Sequence, residues 1–214
     1  MHLEVLVEDA SGGRLLETLM PKLLGEGRDQ HSYRIHNYKG IGRIPKGLAK
    51  AGDPSKRILL DQLPRLLKGY GKTPGIDAVM IVLDSDRNDC RSFLDELLEL
   101  AAGCVPAPKN MFRLAIEEVE AWYFGDREAL LQAYPRAKNE ILKQYQQDSI
   151  CGTWELLADA IYPGGSKAIK DAGWPLPGQV KVEWAERIGP LLELERNVSP
   201  SFTKLKEGVS RLTT

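Results

Sequence analysis

The sequence is poor in the features that mark secreted, membrane-spanning and zinc-binding proteins. It has three cysteines in 214 residues, Cys90, Cys104 and Cys151, with no CxxC pair. An odd number of widely spaced cysteines indicates a reducing compartment, with neither a disulfide framework nor a zinc site. No apolar run approaches the ~20 residues of a membrane span, and the N-terminus enters a strand pattern instead of a signal peptide. We therefore expect a cytoplasmic protein with no membrane partner.

The chain also lacks an excess of either charge. Its 29 Lys and Arg residues and 30 Asp and Glu residues give a net charge of -1. This balance provides no global attraction to nucleic acid, although it allows local basic patches. A hydrophobic fraction of 43% and a charged fraction of 28% are ordinary for a globular protein. The length is sufficient for one domain, or for one domain with a helical extension.

Four short segments have the apolar or alternating pattern of β-strands, at residues 3–8, 32–38, 78–83 and 111–116. Amphipathic patterns between them predict helices that begin near Ser11 and that cover 55–70 and 90–102. Strands and helices that alternate at this spacing favour βαβ units and a largely parallel sheet. We therefore predict an α/β fold whose four-stranded sheet is flanked by helices.

The second part of the chain has a different pattern. From about residue 126 it shows only helical segments, which are separated by Pro and Gly. We expect an α/β domain at 1–125 and a helical C-terminal extension at 126–214 that packs on it. Aromatic side chains usually fill cores, so we expect Trp154, Trp174 and Trp184 to be buried there.

The third strand runs directly into two acids, Asp84 and Asp86, separated by one serine. Ligands of open α/β sheets bind at the carboxyl ends of the strands. Glu8 lies at the end of the first strand, and Glu120 follows the fourth strand near the start of a helix. All four carboxylates are therefore expected at one edge of the sheet.

Carboxylates that lie this close together repel one another unless water or a cation separates them. Hard oxygen ligands suit Mg²⁺ or Mn²⁺, and four carboxylates could hold two ions on either side of a phosphodiester displacement. Each acid also has a structural alternative. Asp84 and Asp86 could form a solvated turn with a helix cap, Glu8 could neutralise a helix N-terminus, and Glu120 could be a surface residue.

A basic loop follows the second strand, where Lys39, Arg43 and Lys46 surround Gly40 and Gly42. Glycines let a phosphate approach the backbone, and a cation then holds it. We take Lys39 and Arg43 as candidate phosphate-binding residues. A flexible solvated loop is the alternative, because the spacing is not that of a Walker A motif.

Five segments together resemble a known fold family. They are LVEDASGGRLLETLMPKLL at 6–24, HNYKGIG at 36–42, IVLDSDRNDC at 81–90, AIEEVEAWYFGD at 115–126 and SPSFTKL at 199–205. Their order and spacing resemble the Toprim domain of topoisomerases, bacterial primases and the OLD (overcoming lysogenization defect) nucleases. The resemblance is to a bacterial Toprim-like family whose genes often lie beside an ATPase gene in phage-defence loci.

This resemblance implies roles for the four acids. Glu8 would be the Toprim glutamate, Asp84 and Asp86 the DxD pair, and Glu120 the acid of the following helix. Together they would bind metal and carry catalysis, with Glu120 holding a second ion or acting as general base. OLD-type nucleases have a second acid four residues after the first glutamate, where this chain has Gly12. Three nearby residues are candidates to compensate, namely Asp9, Ser11 and Glu117.

The resemblance implies a Mg²⁺-dependent nuclease that cleaves DNA in preference to RNA and works with an ATPase partner in bacterial defence. One alternative keeps the fold and the metal but has no catalysis, as in a regulatory subunit, and Gly12 favours it. A further alternative is a phosphoacceptor domain, in which Glu8 and Asp9 would bind the metal and Asp84 would accept the phosphoryl group.

Overall fold

The computed structural model describes residues 1–25, 30–45, 54–149 and 152–213. Its four strands are β1 (His2–Val7), β2 (Ser32–Asn37), β3 (Ala78–Asp84) and β4 (Lys109–Ala115). They form one sheet in the order β2-β1-β3-β4, and all three pairings are parallel. The predicted α/β fold with a parallel four-stranded sheet is confirmed.

Within the described ranges, three helices connect the strands, namely α1 (Ala10–Leu24), α2 (Leu59–Tyr70) and α3 (Cys90–Ala102). Short 3₁₀ turns lie at Pro54–Lys56 and Gly189–Leu191. After β4 the described chain is helical, with α4 (Glu120–Gly125), α5 (Arg127–Ala133), α6 (Asn139–Leu142), α7 (Thr153–Ile161), α8 (Gly165–Ala172), α9 (Leu176–Ile188) and α10 (Pro200–Thr213). The predicted helical C-terminal part is therefore confirmed as well.

Helices cover both faces of the sheet, which explains the uninterrupted apolar run of β3. Val79, Ile81 and Leu83 pack against α2 and α3 on one face. Met80 and Val82 pack against α1 and the C-terminal helices on the other face. Because successive side chains of a strand point to opposite faces, a central parallel strand needs apolar residues at every position.

The C-terminal helices share a core with α1, because α9 packs on α1 and α10 packs on β4. Trp184 is buried in this core, whereas Trp154 is only partly buried. The prediction for Trp174 is wrong: its side chain is 87% exposed in the turn before α9, with its ring near Gly178. A division of the chain at residue 125 stays a prediction.

Two further expectations concern cysteines and membranes. Cys90 and Cys104 are free thiols, and Cys151 lies outside the described residues. Within the described ranges, no helix is long and apolar enough to cross a membrane.

Candidate metal centre at the carboxyl edge of the sheet

The parallel strands bring two of the predicted acids into direct contact. Glu8 follows β1 by one residue, and Asp84 ends the neighbouring strand β3. The backbone N–H of Asp84 donates a hydrogen bond to the Glu8 carboxylate at 3.1 Å. One carboxylate oxygen of Asp84 accepts from the N–H of Val119 at 3.1 Å, immediately before Glu120. These bonds join β1, β3 and the start of α4 at one edge of the sheet.

Asp86 is held at this edge by a second set of bonds between the loops that follow β3 and β4. Its N–H donates to the carbonyl of Glu117 at 3.0 Å, and the Ser85 hydroxyl accepts from the Glu117 N–H at 2.7 Å. Asp86 and Glu117 both have positive φ angles, of 47° and 59°. Non-glycine residues rarely adopt this conformation, which occurs preferentially at functional sites.

The structure adds a residue that the sequence reasoning missed. Lys181, on α9, extends its ammonium group to the acids, 2.9 Å from Glu118 Oε1 and 3.5 Å from Glu120 Oε2. The side chain of Lys181 is only 16% exposed. It lies on the same face of α9 as the buried Trp184 and Ile188. A lysine at helical spacing within an apolar face is the sequence signal that could have found it.

Glu120 is the most deeply buried acid, with no exposed surface. Neither of its carboxylate oxygens has a hydrogen-bond partner in the described part of the chain, and its closest cation is the Lys181 ammonium group. The other oxygen of Glu118 accepts from the N–H of Trp154 at 3.2 Å. The edge therefore contains a largely buried group of charged side chains. We call it the acid cluster, and it consists of Glu8, Asp84, Glu118 and Glu120 with Lys181.

Burial is the main cause of raised pKa values throughout the acid cluster. It raises the pKa of Glu8 to about 7. The Asp84 N–H lowers this pKa, whereas repulsion from Asp86 and Asp9 adds to the increase. Burial, followed by repulsion from Glu120, raises the pKa of Glu118 to about 8. The pKa values of Asp84 and Glu120 are also raised, chiefly by burial. Burial alone would lower the pKa of Lys181, but Glu120, Glu118 and Asp84 raise it.

The chemistry of these donors fits a hard divalent cation. Carboxylate oxygens are the ligands that Mg²⁺ and Mn²⁺ prefer. Among the described residues, neither Glu120 oxygen has a hydrogen-bond donor. As the side chains stand, no group of three or more His, Cys, Asp or Glu residues in the described ranges is arranged to hold a metal ion. An ion would therefore have to draw the carboxylates together.

The position of the missing acid is sterically closed. A Cβ atom on Gly12 would lie 2.9 Å from Val7 Cγ1 and 3.3 Å from Asp9 Oδ1. The N-terminus of α1 thus packs too closely on the end of β1 to accept a side chain. A closer contact than 3.0 Å would force the backbone or Val7 to shift.

The three residues considered as substitutes for that acid have other hydrogen bonds. Asp9 caps α1 by accepting from the N–H of Gly12 at 2.8 Å and from the hydroxyl of Ser11. Glu117 accepts from the N–H of Thr153 at 2.7 Å and from its hydroxyl, at the start of α7. Asp9 and Glu117 therefore stabilise helix N-termini, as carboxylates often do.

The basic loop opens on the same edge of the sheet. The N–H of Gly40 donates to the backbone carbonyl of Glu8 at 3.0 Å, which fixes the loop beside the acid cluster. Arg43 lines a cleft of about 310 Å³ together with Asp86 and Asn88. The side chains of Lys39 and Arg43 are exposed, and Lys46 lies outside the described residues.

A second cleft, of about 420 Å³, lies on the other side of Asp86. Glu118 and Trp154 line its far wall. The Trp154 ring lies beneath two ammonium groups, with Lys170 Nζ at 5.3 Å and Lys181 Nζ at 5.9 Å from its centroid. The partly buried Trp154 therefore packs against the core and also contacts these two cations.

Comparisons with known proteins leave the family open. No family model matches the chain, and no solved structure matches it. Lon protease 1 of Bdellovibrio bacteriovorus is 34% identical to this chain over 80 residues. That segment is 36% of this chain and 10% of the Lon protein, so the chain spans about a tenth of the curated relative. A similarity of this extent assigns neither a family nor an activity to this protein.

Proposed function

We propose that this protein is a Mg²⁺- or Mn²⁺-dependent enzyme that cleaves phosphodiester bonds in nucleic acid. The observation that carries the proposal is the acid cluster at the carboxyl edge of the sheet. Buried carboxylates with raised pKa values destabilise a fold unless a cation compensates them. Carboxylates with raised pKa values that lie beside a cleft are typical of a functional site.

The proposed roles follow from position. Glu8, Asp84 and Asp86 would hold the metal ion, and Glu120 would bind a second ion or act as general base. A bound divalent ion supplies Lewis-acid stabilisation of the phosphoryl oxygens.

Cationic side chains would bind the phosphate groups of the substrate and compensate their negative charge. The buried Lys181 ammonium group offsets negative charge that develops at the edge, and its low exposure makes this effect stronger than in water. Lys39 and Arg43 bind phosphate groups from the exposed loop above the cleft.

The wider biological proposal depends on the resemblance to the Toprim-like family. In this proposal the protein is a cytoplasmic nuclease component of a bacterial defence system and acts on DNA in preference to RNA. An ATPase partner supplies part of the DNA affinity, which makes a net charge of -1 compatible with a nuclease.

Plasmid cleavage tests this function. Wild-type protein is incubated with supercoiled DNA and Mn²⁺ or Mg²⁺, first alone and then, where its gene neighbours an ATPase gene, with that ATPase. We expect metal-dependent cleavage that Asp84→Asn lowers by about 100-fold or more, since even partners of metal ligands have effects of 10- to 100-fold. Asp95→Asn, an exposed residue of α3, is the matched control and should cleave like wild type. Equal activity of Asp84→Asn and wild type would exclude this site.

A non-catalytic metal-binding or regulatory subunit is the second candidate. Two observations favour it: Gly12 leaves no room for a further acid, and Lys181 already compensates part of the negative charge. This candidate predicts that Mn²⁺ raises the melting temperature of wild type but not of Asp84→Asn. It also predicts no cleavage of DNA or RNA with either metal, with or without the ATPase.

A further inference from the structure

A cleft on the outer edge of the sheet carries an excess of positive charge. It has a volume of about 440 Å³ and lies along β4, between α3 and α10. Apolar side chains form its floor, namely Leu94, Phe112, Leu114 and Ile116. Basic side chains form its rim, namely Arg91, Arg113, Lys204 and Arg211. We call this cleft the β4 groove.

Most of these cations have no carboxylate partner. Arg211 forms an ion pair with Glu207 at 2.9 Å. In the described part of the chain, no carboxylate lies within ion-pair distance of Arg91, Arg113 or Lys204. Among the described residues that line the groove, Glu207 is the one acid, so the β4 groove has a positive excess in a chain whose net charge is -1.

Arg113 is held in a fixed position within the β4 groove. Its Nε donates to the Lys204 carbonyl at 2.8 Å, and its Nη1 donates to the Phe112 carbonyl at 2.7 Å. Its guanidinium lies against Gly208, where a Cβ atom would be 2.1 Å from Nη2. The glycine therefore provides the space that this arginine needs on the surface of α10.

The same arginine faces a like charge. Burial lowers the pKa of Arg113, and the neighbouring Arg211 lowers it further. Two guanidinium groups that share one carboxylate repel each other, and a bound anion would relieve this repulsion. Arginine binds phosphate oxygens with particular preference because its N–H groups form a planar fork.

One end of the β4 groove lies next to the loop that holds Asp86. Ile116, at one end of its floor, follows the last residue of β4 and precedes Glu117, whose backbone is bonded to Asp86. An apolar floor with a cationic rim suits a single nucleic-acid strand, because sugars and bases contact apolar side chains while phosphates meet the cations. The volume of the groove is that of a small-molecule pocket, which accommodates a single strand better than a duplex.

We propose that the β4 groove binds the sugar–phosphate backbone of a single DNA strand and directs it towards the acid cluster. This inference rests on the proposed function and names the form of its substrate. It also explains how a chain without a net positive charge holds a polyanion.

Binding of a fluorescein-labelled single-stranded 20-mer, measured by anisotropy in EDTA, tests the proposal without any cleavage. The test variant is Arg91→Glu/Lys204→Glu, which changes two exposed rim residues. The control is Lys72→Glu/Lys143→Glu, which changes net charge equally at exposed sites away from the groove. We expect the test variant to raise Kd about 10-fold or more and to lower the salt slope of log K by about 1.4, since each phosphate contact contributes about 0.7. The control should stay within about twofold of wild type.

Three outcomes would overturn the proposal. Equal weakening by both double variants would show that only net charge matters. Tighter binding of a duplex than of the single strand would refute the proposal that the groove binds single-stranded DNA. Tighter binding of an oligo-glutamate peptide, lost in the same test variant, would show that the groove binds an acidic protein segment.

Cleavage assays on the same proteins separate this inference from the proposed function. If wild type cleaves DNA and the groove variant binds the 20-mer normally, the proposed binding role of the β4 groove is refuted and the proposed function is retained. If binding of the 20-mer depends on the groove but neither metal supports cleavage, the proposed function is refuted and the binding role of the β4 groove is retained.

Discussion

Replacement of Lys181 by methionine should destabilise the protein in a pH-dependent way. The substitution keeps the apolar stem of the side chain and removes the cation of the acid cluster. Lys181 contacts Glu118, whose pKa is about 8, and Glu120, which is fully buried. The effect of the substitution therefore depends on whether these acids are ionised.

The magnitude follows from the protonation states. At pH 5 the carboxyl group of Glu118 is neutral, so Lys181→Met removes only a hydrogen bond to this acid, at a cost of about 1 kcal/mol. At pH 9 Glu8 and Glu118 are ionised in the wild type, because their pKa values are about 7 and about 8. Removal of one partner of a buried ion pair then costs about 3–5 kcal/mol. Because the acids of the variant take up protons, we expect a loss of about 3 kcal/mol.

Urea denaturation at pH 5 and pH 9 measures both values. Lys170→Met is the matched control, because Lys170 also lies over Trp154 and pairs with Glu155 at 3.0 Å but is 54% exposed. We expect a loss of at most about 1 kcal/mol for the control at both pH values. An equal loss at pH 5 and pH 9 for Lys181→Met, or a greater loss at pH 5, would refute the compensating role of Lys181.

Two further predictions concern the wild-type acids and the glycine beside them. The pKa of Glu8 is raised from 4.5 to about 7, so the folded state binds more protons than the unfolded state between these values, and stability should fall as pH rises through this window. At about 1.4 kcal/mol per tenfold change in proton affinity, Glu8 alone should lower the free energy of unfolding by about 3 kcal/mol across this window. A free energy of unfolding that stays constant from pH 4.5 to 7, measured by urea denaturation, would contradict this prediction. Gly12→Ala should lower the free energy of unfolding by about 1–3 kcal/mol, because its Cβ would lie 2.9 Å from Val7 Cγ1; a melting temperature equal to that of wild type would show that the contact is easily relieved.

Much of the fold could be predicted from local patterns in the sequence. The unbroken apolar run at residues 78–83 identifies a central strand, because only a strand covered on both faces needs apolar side chains at every position. The ends of β1 and β3 were then sufficient to place Glu8 and Asp84 at one edge, since all strands of a parallel sheet end there.

The rest of the site depends on contacts between distant segments. No local pattern indicates that Glu118 is covered, but α7 and α9 contact it through the Trp154 N–H and the Lys181 ammonium group. Lys181 lies 61 residues after Glu120, so no local spacing relates them. Trp174 was expected in the core, yet its side chain is exposed, because it lies in the turn before α9 and no described helix or strand covers it.

Calorimetric titration with Mn²⁺ at pH 7, in buffers of different ionisation enthalpy, tests the central claim most directly. Glu8 is partly protonated at this pH in the free protein, so an ion that binds its carboxylate must displace that proton. We predict binding by wild type with measurable proton release, and loss of both in Asp84→Asn/Asp86→Asn. Absence of Mn²⁺ binding by wild type, or unchanged binding by the double variant, would contradict a metal centre at this edge of the sheet.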